Sequence, residues 1–316
     1  QGLEKIKVER PKVEISDADV DRMIDTLRKQ RTTWNEVERE SQKDDRVVIS
    51  FDGKIGGESF EGGATEGMPV VLGAGSMLSE FEDNLLGVKA GEEKVFNVTF
   101  PEDYHGAAVA GKTAEFTVKV DSVSEPVLPE INEEFAKSFG VDSGDVEQLR
   151  TDIRDNMQRE LDSAVSSGVT NQIMDGLLEN NKFDLPNAMV DEEIERLRQA
   201  TMEDMKRSGN QNLPDMPASI FEDQARRRIS LGLMVGEIVK SNEIKMDQEK
   251  FDEEIKSIAA TYEQSDAVER AYREKPELRQ GIEAVVIENQ VVDYLLDKVD
   301  VTDIEKGFYD VVQSRV

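Results

Sequence analysis

Residues 45–123 alternate apolar and polar side chains at period two, inside a chain whose flanks repeat apolar residues every three or four positions. Val47, Ile49 and Phe51 make one such face, Phe96, Val98 and Phe100 another, and Phe116, Val118 and Val120 a third. Side chains two apart share one face of a strand, so each triplet marks a strand with one buried side. Gly56-Gly57 falls between two short runs and reads as a two-residue hairpin turn. The pattern predicts a compact antiparallel β domain inserted into an α-helical one, an α+β chain.

Charge and composition narrow what such a chain can do. It carries 39 basic and 68 acidic residues, a formal charge of -29. That field repels phosphate backbones and anionic lipid, which argues against direct nucleic-acid binding and against a membrane surface. Zero cysteines remove disulfides, a thiol nucleophile and Cys-bound zinc, and fit a reducing cytoplasm. No apolar run approaches the roughly 18 residues a spanning helix needs. The chain opens Gln1-Gly2-Leu3 without Met or a signal-like start, so the expectation is a piece whose front has been removed.

In chain order, residues 4–15 read as extended, with Ile6 and Val8 alternating. Ser16-Asp17-Ala18-Asp19 is a capping-box start, and Val20, Met23, Ile24 and Leu27 fall on one helical face. Trp34 stands where that helix gives way to the polar run 36–45. Pro126-Val127-Leu128-Pro129 reads as a linker. Apolar residues from Val146 to Leu177 then predict one long helix, roughly 50 Å if unbroken from Val146 to Asn180, with Gly168 a candidate bend. Further helices are expected at 187–208, 218–241, 248–262, 265–274, 277–298 and 302–314. Four apolar-x-apolar steps, at 13–16, 183–186, 244–247 and 299–302, recur at helix boundaries. Because the first lies before the insert, residues 1–41 and 126–316 are assigned to one discontinuous domain, with 42–125 as the insert.

Within the insert the order is Phe51-Asp52-Gly53, Phe60-Glu61-Gly62, Leu72-Gly73, Met77-Leu78, Phe81-Glu82-Asp83, Gly91-Glu92-Glu93, Phe100-Pro101-Glu102-Asp103-Tyr104 and Phe116. This order resembles the FKBP-type peptidyl-prolyl isomerases. With long helices on both sides, the chain as a whole resembles the trigger factor family of bacterial chaperones. The resemblance implies a five-stranded sheet wrapping a short helix over an aromatic pocket, inserted in an elongated helical chaperone domain with arms. It implies an ATP-independent chaperone for unfolded or nascent polypeptides with isomerase activity, in the cytoplasm. It implies that Phe51, Phe60, Met77, Leu78, Phe81, Tyr104 and Phe116 wall the catalytic pocket, and that the Leu78 N–H holds a substrate carbonyl. Phe51 stands where many relatives have Tyr, Phe81 where many have Trp, and Glu61 where Asp is usual. Ribosome docking would rest on a basic loop that no stretch here matches; Arg226-Arg227-Arg228 reads instead as an ion-paired face.

Twisting an Xaa-Pro amide requires neither a proton transfer nor a cofactor, and none is expected. His105, the only histidine, is placed at the pocket rim and would be the sole base for a serine triad, for which no elbow motif exists. Gly73-Ala74-Gly75 lacks the third glycine of a dinucleotide loop, since position 78 is Leu. Asp17, Asp19 and Asp21 mimic half a calcium loop, but Arg22 takes the glycine's place. In the helical part, Met is the adaptable side chain suited to varied clients, and Met202 and Met205 are the candidates for exposure. Two other readings stay open here: a pure holdase whose insert only binds peptides, and an isomerase with a helical oligomerisation domain.

Overall fold

The computed structural model describes residues 2–104, 106, 108–208, 216–260, 262 and 264–313. A 3-10 turn at Leu3–Lys5 leads into β1 (Lys7–Lys12), α1 (Asp17–Gln30), β2 (Thr33–Glu36), β3 (Arg46–Ile55), β4 (Glu58–Val71), α2 (Ser79–Asn84), β5 (Glu93–Thr99) and β6 (Thr113–Val127). Then come α3 (Glu133–Ser138), α4 (Val146–Asn180), α5 (Asn187–Arg207), a 3-10 turn at Ala218–Ile220, α6 (Glu222–Ser241), α7 (Gln248–Ala259), α8 (Ser265–Glu274), α9 (Pro276–Leu296), β7 (Asp300–Glu305) and α10 (Phe308–Val312). Backbone contacts gather them into two compact units, Ser16–Asp155 and Gln1–Ile15 with Asn156–Val316.

The first unit is built on the five-stranded sheet, ordered β2-β6-β3-β4 with β5 also on β6. Ile55 pairs with Glu58 across Gly56 and Gly57, whose φ of 61° and 89° suit the turn that matches strand twist. Val47, Ile49, Val118 and Val120 turn inward with Phe81 and Phe116 to make the core under α2. Three features run beyond the linear reading. Trp34 lies on a strand, β2, paired with Pro126 of β6, so 126–127 close the sheet instead of opening a linker. Proline is tolerated there because the β3 pairing ends at Ser124, leaving that edge of β6 open. The polar run 36–45 is likewise structural: Ser41 is buried, donates to Leu85 O at 2.6 Å and accepts from Val88 N at 3.1 Å. The third feature is α3, capped by the Asn132 side chain and buried through Phe135 and Ala136, a helix too short for its periodicity to register.

Asp17 pairs with Arg154, Asp21 with Arg150 at 2.6 Å, and Asp19 closes the capping box with Ser16. All three acids are therefore engaged in ending and packing α1.

In the second unit β1 and β7 form a parallel pair, Val8 opposite Val301. The Gln172 side chain of α4 extends that ladder, accepting from Glu9 N at 2.8 Å and donating to Glu9 O at 2.9 Å. Ile6 and Val8 pack on Val169, Ile173 and Leu177 of α4 and on Val291 and Leu295 of α9. Helices α5 and α6 share a small core of Val190, Ile194, Leu197, Phe221 and Ala225. Helices α7 and α9 share another, Phe251, Ile255, Ile282 and Val286. The helix expected at 302–314 is a correction: 300–305 is strand, and among the described residues of that range the α-helix is confined to Phe308–Val312, residue 314 lying outside them. Val301 and Ile304 alternate like a strand, but what decided it was β1, a partner from the other end of the chain.

Candidate active site

Strand pairing delivers the aromatic residues to one cavity. Lys54 pairs with Ser59 and Asp52 with Ala64, so Gly53 alone faces Phe60, Glu61, Gly62 and Gly63. That long bulge swings Phe60 off the β4 ladder to pack on the same core as Phe116. On the other side of β3, Phe116 lies opposite Gly53. The loop 73–78 then brings Met77 and Leu78, and α2 brings Phe81.

All seven residues expected at the pocket line one cavity of about 650 Å³: Phe51, Phe60, Met77, Leu78, Phe81, Tyr104 and Phe116. Phe81 is 2% exposed and forms the floor. Its ring meets Phe51 at 5.5 Å, Phe116 at 5.2 Å and Phe96 at 5.2 Å between centroids, each edge to face. Such pairs contribute about 0.5–1.5 kcal/mol each beyond area burial, so the floor is rigid. Val98, Phe100 and Val109 also line it. The sequence put Val98 and Phe100 on one strand face and Phe100 in the family-like order, but it marked none of these three as a pocket wall; Val98 lies on β5 and Phe100 directly after it. Among the described lining residues the ionisable ones are Glu61, which is exposed, and Tyr104. His105 lies outside the described residues. The Leu78 N–H has no acceptor among the described residues, while its carbonyl accepts from Phe81 N at 2.8 Å to start α2.

Residues 37–121 match the family of FKBP-type peptidyl-prolyl cis-trans isomerases, and residues 145–297 match the bacterial trigger factor C-terminus. A trigger factor of Pseudoalteromonas atlantica is 46% identical over 318 residues, covering 100% of this chain and 73% of its own length. Those of Alkalilimnicola ehrlichii and Pseudomonas aeruginosa are each 47% identical, covering 96% and 99% of this chain and 67% and 71% of their own. The chain belongs to the trigger factor family. It is a chaperone with an FKBP-type peptidyl-prolyl isomerase domain.

The trigger factor helical part carries the other surface of interest. A second cavity, about 420 Å³, is lined by Phe183, Leu233, Met234, Tyr294 and Leu295 among others. Phe183 and Leu233 are each 45% exposed beside it. Met202 and Met205 are half-buried on α5, and Met189, at the start of that helix, is the more exposed. Met157 and Met174 are core filler. The three arginines are all paired: Arg226 with Glu222, Arg227 with Asp175, and Arg228 with Glu193. Among the described residues no helix is long and apolar enough to cross a membrane.

Proposed function

We propose that residues 42–125, closed by the flanking strand β2 and residues 126–127, catalyse prolyl isomerisation, while the rest of residues 1–41 and 126–316 forms the body that holds unfolded or nascent chains. The substrate proline sits on Phe81 and Phe116. Phe51, Phe60, Met77, Leu78 and Tyr104 wall it, and the Leu78 N–H donates to a substrate carbonyl. A planar amide has charge separation that water stabilises; the twisted amide loses it, so a dry apolar site favours the twisted form. No side chain exchanges a proton. The observation that carries this reading is the set of mutually edge-packed rings at the base of one cavity, with no buried acid or base among its described lining.

Client holding rests on Phe183, Leu233 and Met189, with Met202 and Met205 further along α5, through weak, multivalent contacts without ATP. The absence of cysteine and the family both favour the cytoplasm. Ribosome docking is assigned to no surface of residues 1–316, because the net charge of -29 opposes phosphate and the one arginine cluster is paired.

The test is Phe81→Leu, which keeps an apolar core residue but removes the flat floor. Isomerisation of a short Xaa-Pro peptide should slow at least about tenfold, or about 1.4 kcal/mol in the barrier. An unchanged rate in a folded variant would remove Phe81 from the site.

A further inference from the structure

Helix α2 carries three acids, and one of them, Glu82, is buried at 6% exposure. A carboxylate in such a position is tolerated only when its oxygens are satisfied. They are satisfied by one loop. Oε2 accepts from Gly73 N at 2.8 Å and Gly75 N at 3.4 Å, and Oε1 accepts from Met77 N at 3.0 Å and Ser76 Oγ at 3.4 Å. The backbone must turn sharply to aim these donors inward, which Gly73 and Gly75 allow at φ of 88° and 71°. The loop ends at Met77 and Leu78, two walls of the cavity, and Glu82 directly follows Phe81, its floor. Burial pushes the Glu82 carboxyl up, but the N–H groups of Met77, Gly73 and Gly75 and the bond at Ser76 outweigh it and hold it below the usual carboxylate range.

We infer that Glu82 is a positioning residue for the isomerase: its carboxylate winds residues 73–78 around itself and so sets the Met77 wall and the Leu78 N–H against the reacting amide. This rests on the pocket reading above. A glutamine cannot substitute. Its one oxygen can serve either the Gly73 side or the Met77 side, and its NH2 then faces an N–H on the other.

The charged groups around it are few. Glu80 and Asp83 share α2, and Glu80 accepts from Thr99 N at 2.9 Å. From β5, Lys94 donates to Asn84 O at 2.6 Å, and the Lys43 side chain lies alongside Gly73.

The experiment uses the full chain and measures kcat and KM on a short Xaa-Pro peptide together with amide exchange. Glu82→Gln should lower kcat about tenfold with KM within about twofold, since the ring-binding floor is untouched. Gly73 and Met77 amides should lose protection at least about tenfold, while Val118 and Val120 in β6 keep theirs. Asp83→Asn, at an exposed position, should change neither. A wild-type kcat in Glu82→Gln, with Phe81→Leu inactive, overturns the role of Glu82 and leaves the pocket standing. An active Phe81→Leu breaks the pocket reading instead. Parallel loss of protection at Val118 and Val120 would make Glu82 a support of the whole sheet and also overturns the inference. If Glu82→Gln does not fold, acid titration of the wild type decides. The Gly73 and Met77 amide signals and kcat should then move at one midpoint below the usual carboxylate range, and separate midpoints overturn it.

Discussion

Gly53 and Phe116 face each other across β3 and β6 so closely that a Cβ on Gly53 would stand 2.5 Å from the Phe116 ring. The ring occupies the space a side chain would need, and the Gly63 carbonyl closes the same space at 3.0 Å. Phe116 is in turn the ring against which Phe51, Phe60 and Phe81 all lean.

Gly53→Ala should therefore displace Phe116 and tilt the whole floor. Overpacking of this kind costs about 1–3 kcal/mol. Denaturant unfolding should report that loss, and isomerase activity should fall by more than stability alone explains. A variant with full activity would mean that Phe116 can move without consequence for catalysis.

Asp45 offers a pH test. It is buried at the start of β3, and Arg39 donates to both its oxygens, at 2.5 and 3.0 Å, while Gln42 N donates at 2.8 Å. Burial pushes its carboxyl up, but Arg39 and Gln42 hold it below the ordinary value of Asp. The unfolded chain thus binds the proton more readily than the folded one. This part of the stability is present above the unfolded pKa of about 3.9 and is lost as pH falls through the folded value. Asp45→Asn should destabilise by about 1–3 kcal/mol at neutral pH and show a shallower acid limb in thermal unfolding.

Fragment design gives a third prediction. Residues 42–125 contain the pocket, but Ser41, Arg39 and β2 lie just before them. A fragment of residues 33–127 should be more stable than 42–125 by about 2 kcal/mol or more, from the clamp on Asp45 and the Ser41 bonds. Both should turn over short peptides, and both should be slower than the full chain on an unfolded protein, for want of the helical surface. Equal rates on protein clients would rule out that division of labour.

The fourth concerns ribosomes. Residues 1–316 should not co-sediment with them at physiological salt, yet should slow aggregation of an unfolded client. Saturable sedimentation would mean a docking surface exists that neither the charge nor the ion-paired arginines reveal.

The glycine at 176 allows a test of the helical unit. A Cβ there would come 2.6 Å from Ile6 Cγ2, so α4 touches the residue just before β1 through the missing side chain. Gly176→Ala gains about 1 kcal/mol of helix propensity and loses about 1–3 kcal/mol by overpacking. The expected net effect is a lower melting temperature, with amides of β1 and β7 exchanging first.

What could be read directly from the order of residues was whatever depends on near neighbours in the chain. Strand alternation at 47–51 and 116–120, the Gly56-Gly57 turn, the Ser16 cap and the long α4 all came from spacings of two to four residues. The seven pocket residues were named from the resemblance of their order to a family, and they line one cavity. Tertiary structure alone decided the rest, because backbone donors and acceptors take whichever partner lies alongside, however distant in the chain. Asp300–Glu305 became strand only because Lys7–Lys12 runs beside it. Trp34 and Pro126 became sheet only by pairing with each other. Ser41 reads as part of a polar run until Leu85 and Val88 reach it, and Glu82 as one of 68 acidic residues until the loop 73–77 turns its donors inward. A polar side chain carries no periodic mark of burial; its partners decide that.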